Sequence, residues 1–214
     1  MLVREAKLLN GTSNQYKSLE EAIRTAQFIR NKAVRYWMDN QEVDKSRLYK
    51  LSKELASDFV FANKLNSSAR QASVEVAWTS ISNFYRRCQE GTKKKAVRPR
   101  DDESRKGTRT KRGYPKFKKH CRSVEYKQSG WKLSDDCMFI TFTDKFKSGK
   151  FSLYCNSETR EDLFRSKINR VRIVRRADGY YCQFCIDAER KEAGNYTGNV
   201  IGIDLGLKYP NKGQ

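Results

Sequence analysis

An α+β fold is expected from this sequence, with helices first and an antiparallel sheet after them. Three observations predict it. Apolar residues between Leu19 and Tyr85 recur at helical spacing. From Val124 onward they fall into short alternating runs broken by turn residues. Between the two regions, residues 92–122 hold 14 Lys or Arg against Asp101, Asp102 and Glu103, a net charge of +11, with almost no apolar residue before Tyr114.

Residues 2–9 suit one strand, and Asn10 to Lys17 read as a polar loop. Ser18-Leu19-Glu20-Glu21 has the spacing of a capping box, in which the Ser hydroxyl accepts from the first turn and Glu21 reaches back. Leu19, Ala22, Ile23, Ala26, Ile29, Ala33 and Trp37 then mark one face of a long helix ending near Asn40. Arg24, Arg30, Lys32 and Arg35 occupy its other surfaces, as a solvated face or a face for nucleic acid. A second helix fits Ser46 to Phe59, with Leu48, Leu51, Leu55 and Phe59 on one side. A third fits Ser67 to Gln89, burying Ala69, Ala72, Val76, Ile81, Phe84 and Tyr85 and presenting Arg86 and Arg87.

The basic stretch that follows cannot offset its ordering entropy by burial of its own. On a phosphate backbone its cations would release counterions and bind with strong salt dependence. Lys93, Lys94, Lys95, Lys111, Arg112, Lys116, Lys118 and Lys119 are its candidate contacts. Strands are then expected at Val124–Lys127, Trp131–Leu133, Met138–Phe142, Phe151–Tyr154, Lys167–Arg175 and Tyr180–Asp187, forming a small antiparallel sheet or barrel. Asp178-Gly179 is the turn of the last hairpin. Arg170 and Arg172 alternate with Val171 and Ile173, so one face of that hairpin is cationic. Residues 189–199 read as a polar linker. A final strand begins at Val200 and holds Asp204 in an apolar run, where a bare carboxylate needs a metal or a hydrogen-bond network.

The net charge of +20 calls for a polyanion, and nucleic acid fits better than a membrane surface. No stretch approaches the ~18 apolar residues of a transmembrane helix, and residues 1–9 do not read as a signal peptide. A cytoplasmic chain with reduced thiols is expected. Cys182 and Cys185 form a C-x-x-C, but residues three apart in a strand face opposite sides. With one histidine, His120, and no second such pair, a zinc site is not expected.

The order of these parts resembles the N-terminal half of the OrfB/TnpB family. These are transposon-encoded RNA-guided DNA nucleases related to miniature type V CRISPR effectors. The points of likeness are Gly113-Tyr114-Pro115-Lys116-Phe117-Lys118-Lys119 and Gly202-Ile203-Asp204-Leu205-Gly206-Leu207-Lys208, preceded by the Trp37-bearing basic helix and the helix ending Phe84-Tyr85. The resemblance implies a wedge-like β-barrel with a helical recognition insertion, then a RuvC domain of the RNase H-like type. On this sequence, 1–17 would open the barrel, 18–90 form the insertion, 91–122 a basic loop and 123–188 the rest of the barrel. Residues 200–214 would begin the RuvC domain.

The resemblance further implies guide RNA and DNA as partners, held by backbone and shape while base pairing reads sequence. The nucleic-acid-binding candidates are the basic residues named above together with Arg86, Arg87 and Arg172. Asp204 matches the first catalytic carboxylate, which in the family shares two Mg²⁺ ions with later carboxylates. Those partners have no counterpart in the 214 residues, so stable Mg²⁺ binding and cleavage by this polypeptide alone are not expected. A separate chain carrying the remaining RuvC segments would complete the site if the protein is split. A nuclease-dead regulator and a generic basic RNA-binding protein are the alternatives.

Overall fold

The computed structural model describes residues 1–40, 42–97 (91–97 by backbone alone) and 113–188. The linker at 189–199, the strand expected from Val200, Asp204, Lys111 and Arg112 lie outside the described residues, as do the side chains of Lys93, Lys94 and Lys95.

Strand β1 (Leu2–Leu9) comes first, and four helices follow it: α1 (Ser13–Asp39), α2 (Lys45–Asp58), α3 (Val60–Lys64) and α4 (Ser67–Val97). The sheet resumes with β2 (Ser123–Tyr126), β3 (Trp131–Leu133), β4 (Phe139–Phe142) and β5 (Gly149–Tyr154). A short helix α5 (Ser157–Arg165) precedes the hairpin of β6 (Ile168–Arg176) and β7 (Gly179–Ile186). Every pairing is antiparallel, and the seven strands lie in the order β2-β6-β7-β1-β5-β4-β3. The mixed helix-and-sheet class therefore stands.

The barrel does not. The ladder stays open: β2 and β3 are the two edges, and no pairing joins them. They nonetheless lie close, because only Lys127 to Gly130 connect them and the Tyr126 ring sits 5.8 Å from that of Phe142 on β4. Gly130 makes this approach possible. Its φ is +98°, and an added Cβ would lie 2.7 Å from the Tyr126 ring. The Tyr126 hydroxyl donates to Asp144 Oδ2 at 2.7 Å, and both residues are buried. Burial raises the Asp144 pKa, against the opposing pull of that hydrogen bond.

One face of the curled sheet is apolar in register. Val124, Ile173, Cys182 and Ala6 form one row across four strands, and all are nearly inaccessible. Leu8, Leu153, Ile140 and Phe151 continue the same face. Helix α1 covers it from above with Leu19, Ala22 and Ile23, and the Tyr16 ring stacks on Tyr180 at 5.4 Å. Helix α5 contributes Leu163 to the core and is tied to β1 by Arg4, which donates to Asp162 at 2.6 Å and to Glu158 at 2.5 Å.

Several expectations need correction. The first helix starts a turn and a half early: Thr12 is the cap, and Thr12 and Gln15 make the reciprocal capping box, so Ser18 lies inside the helix. The third helix continues past Gln89 to Val97, into the basic stretch. Val76 and Tyr85, expected in the core, are 39% and 45% exposed. Helices α3 and α5 were not expected. Among the described residues no helix is long and apolar enough to cross a membrane.

Replacing Tyr126 with Phe leaves one oxygen of a buried carboxylate without its donor. Stability should fall by about 1–3 kcal/mol, read from the urea midpoint; an unchanged midpoint would show that this hydrogen bond between β2 and the β4–β5 connection contributes nothing.

Candidate nucleic-acid interface

The described end of the basic stretch is held against α1 by side chains of the helix. Gly113 begins it with φ +62°, and an added Cβ there would lie 1.7 Å from Arg87 Nη1. Tyr114 packs its ring 5.4 Å from Trp37 and 5.2 Å from Phe84. Pro115 is buried and biases the backbone before it toward an extended path. Two amides one helical turn apart then grip the main chain. Asn31 Nδ2 donates to the Lys118 carbonyl at 2.8 Å, and its Oδ1 accepts from the Lys118 amide at 3.0 Å. Gln27 Nε2 donates to the Lys119 carbonyl at 3.1 Å, and its Oε1 accepts from the Cys121 amide at 2.7 Å.

Arg30 belongs to this clamp. It is only 5% exposed, and its Nη1 donates to the Lys116 carbonyl at 2.8 Å and to Asn31 Oδ1 at 2.9 Å. Burial lowers its pKa, and its Nε finds no partner among the described atoms. A candidate phosphate contact thus holds backbone.

The clamp leaves other cations outward. Lys116, Lys118, Lys119 and Arg122 are exposed along the segment, and Arg24, Lys32 and Arg35 are exposed on the helix beside it. None of Lys32, Lys116, Lys118 and Lys119 makes an ion pair with a described carboxylate. Arg24 lies 3.5 Å from Glu20, and Arg35 2.6 Å from Asp39; both are surface pairs with more than half of the arginine exposed, worth ~0–1 kcal/mol. A shallow cleft between helix and segment is lined by Arg24, Phe28, Asn31, Lys32, Arg35 and Phe117.

The cationic hairpin behaves differently. Arg172 Nη2 donates to Glu125 Oε2 at 2.6 Å and Arg170 Nη1 to Glu125 Oε1 at 2.6 Å, so both are engaged. Arg175 pairs with Glu20 and Arg176 with Glu5, each at 2.7 Å. Arg86 pairs with Glu90 at 3.0 Å and Arg87 lies over Gly113. Sequence alternation marked the basic face of the hairpin correctly but carried no sign of the acids opposite it.

Glu75 on α4, not singled out in the sequence, ties α4 to α2, to β6 and to the turn after β2. It accepts from Lys127 at 2.8 Å, from Arg170 at 3.3 Å and from the Tyr49 hydroxyl, with Lys45 at 3.6 Å. Burial alone would raise its pKa; the Lys127 and Tyr49 hydrogen bonds, with the charges of Lys127 and Lys45, outweigh it and lower the value from 4.5 to about 2. Cys182 and Cys185 lie on opposite faces of β7, Cys182 opposite Ala6 and Cys185 opposite Val3. Among the described residues no group of three or more His, Cys, Asp or Glu could hold a metal ion.

Two outcomes are expected. Replacing Gln27 and Asn31 together with Ala removes four hydrogen bonds of about 1 kcal/mol each that hold the segment closed. Tryptic cleavage within 116–122 should accelerate more than ~10-fold as local opening becomes easier; unchanged cleavage would show that the amides do not anchor it. The depressed Glu75 pKa gives stability that is present above 4.5 and lost as the pH falls toward about 2. Glu75→Gln should lower the urea midpoint at neutral pH and shrink that acid-dependent loss, and equal acid sensitivity of both proteins would assign the loss to other carboxylates. No family model matches the sequence, and no curated protein matches it.

Proposed function

We propose that this chain holds a guide RNA, and the DNA paired to it, as the nucleic-acid-binding portion of a TnpB-like RNA-guided nuclease. The observation that carries the reading is the clamped segment. Fixing the backbone of 116–121 on α1 holds Lys116, Lys118 and Lys119 exposed along one segment, none of them in an ion pair with a described carboxylate. A phosphate backbone meeting cations on a fixed main chain forfeits less ordering entropy than one meeting a loose loop. The net charge of +20 and the Gly113–Lys119 motif support the same reading. In it, Asp204 and Mg²⁺ belong to cleavage, and the clamped face belongs to holding the nucleic acid.

The test is to pull the protein down at moderate salt from cells carrying its native locus and to sequence the RNA retained. One enriched RNA from that locus is the expected result. A diffuse mixture of abundant RNAs would leave a generic basic binder in place of the guide-holding module, and no RNA would end the reading. With the enriched RNA, Lys116→Ala, Lys118→Ala and Lys119→Ala combined should reduce the slope of log K against log salt by about 2, at ~0.7 per single-strand phosphate contact.

A further inference from the structure

We infer that the stretch of the RNA held on this face is one not paired to DNA, with its bases stacked on a surface of phenylalanine rings that runs from Phe61 through Phe28 to Phe117. The inference rests on the nucleic-acid-binding reading and specifies what is bound.

Phe28, from the middle of α1, lies 5.1 Å from the Phe59 ring and 5.0 Å from that of Phe61, both edge-on. It lines the same cleft as Phe117. Phe61 is 41% and Phe117 47% exposed. The exposure of Phe117 is not a looseness of its surroundings. Tyr114 on one side is packed on Trp37, and Lys116, Lys118 and Lys119 around it are held through their main-chain groups. The backbone is fixed, and the ring is set outward.

Cations surround these rings. Lys32 Nζ sits 5.6 Å from the Phe28 centroid and 5.9 Å from that of Phe59, and Arg24 and Arg35 line the cleft beside them. Exposed rings within a cationic rim are the arrangement that binds single-stranded nucleic acid, where phosphates follow the charges and each base offers a π-face. A duplex has its bases already stacked inside and offers this face only sugar and phosphate. It would use the lysines and leave the rings uncovered.

The experiment compares a short single-stranded RNA with a duplex of the same length by fluorescence anisotropy, using the full chain and its Phe61→Ala, Phe117→Ala, Phe117→Leu and Phe117→Trp variants. Both side chains are substantially exposed, and circular dichroism verifies folding. The single strand should bind more tightly than the duplex. Each Ala variant should weaken single-strand binding about 5- to 150-fold, the loss of one base–aromatic stack, with the salt slope and duplex binding unchanged. Phe117→Leu, which keeps apolar bulk without a ring, should be as weak as Phe117→Ala, and Phe117→Trp should restore binding. Equal affinity for the duplex, or single-strand affinity indifferent to the rings, overturns the inference while the binding reading survives. A polyglutamate peptide that binds as tightly as the RNA, with the same Phe117 dependence, overturns it in favour of an acidic protein partner. Failure to bind RNA of either form ends the binding reading itself.

Discussion

A seven-stranded antiparallel sheet that curls until Tyr126 on one edge meets Phe142 near the other has a concave face that water cannot be left to fill. Val124, Ile173, Cys182, Ala6, Leu8 and Phe151 all point into it. The chain supplies the filling between its first and second strands. Helix α1 leaves the sheet as soon as β1 ends, lays Leu19, Ala22 and Ile23 over the concave face and carries on beyond it. The part of α1 that projects past the sheet has nothing of the sheet to pack on. Helices α2 and α4 and the segment at 113–121 pack there instead. The position of the basic segment therefore follows from the direction in which α1 must run to cover the sheet.

A net charge of +20 has to be distributed so that the fold tolerates it. The structure does this unevenly. Six of the cations on the strands meet acids, Arg4 with Asp162, Lys7 with Asp178, Arg170 and Arg172 with Glu125, Arg175 with Glu20 and Arg176 with Glu5, while Lys132 and Lys150 make no ion pair with a described carboxylate. Along the clamped segment and the outer face of α1 the lysines lack described acids. Part of the surplus charge therefore lies along this face without a described ion pair to balance it. Like charges set close together repel one another in the free protein, and a polyanion bound there would relieve that repulsion.

Much of the fold was legible because it is repetitive. The period of α1 appears in Leu19, Ala22, Ile23, Ala26, Ile29 and Ala33, all buried. Asp178-Gly179 marked the β6–β7 hairpin, and the six later strands fall within a residue or two of their expected places. What was missed lacks a period. Helix α5 buries only Thr159 and Leu163, a single turn's worth of pattern, although Asn156 caps it by accepting from the Thr159 amide. The start of α1 was misplaced because two candidate caps lie six residues apart, and Gln15 answering Thr12 is as good a reciprocal partner as Glu21 would have been for Ser18. An open sheet and a closed barrel share the same strand pattern, so closure was never written in the alternation.

Arg30 shows why a list of basic residues overstates a binding face. In the sequence it stands among Arg24, Lys32 and Arg35 with nothing to distinguish it. In the fold it lies between α1 and the segment, and the segment's carbonyl oxygen at Lys116 is its ligand. A guanidinium serves there because it is planar, many-donored and long enough to reach main chain across a helix–segment gap. Its charge is incidental to that role and costly in that position, as its lowered pKa reflects. The neighbours it holds in place are the cations that remain available to a ligand. Charge at this face is thus of two kinds, one spent on building the surface and one displayed by it, and only the path of the backbone separates them.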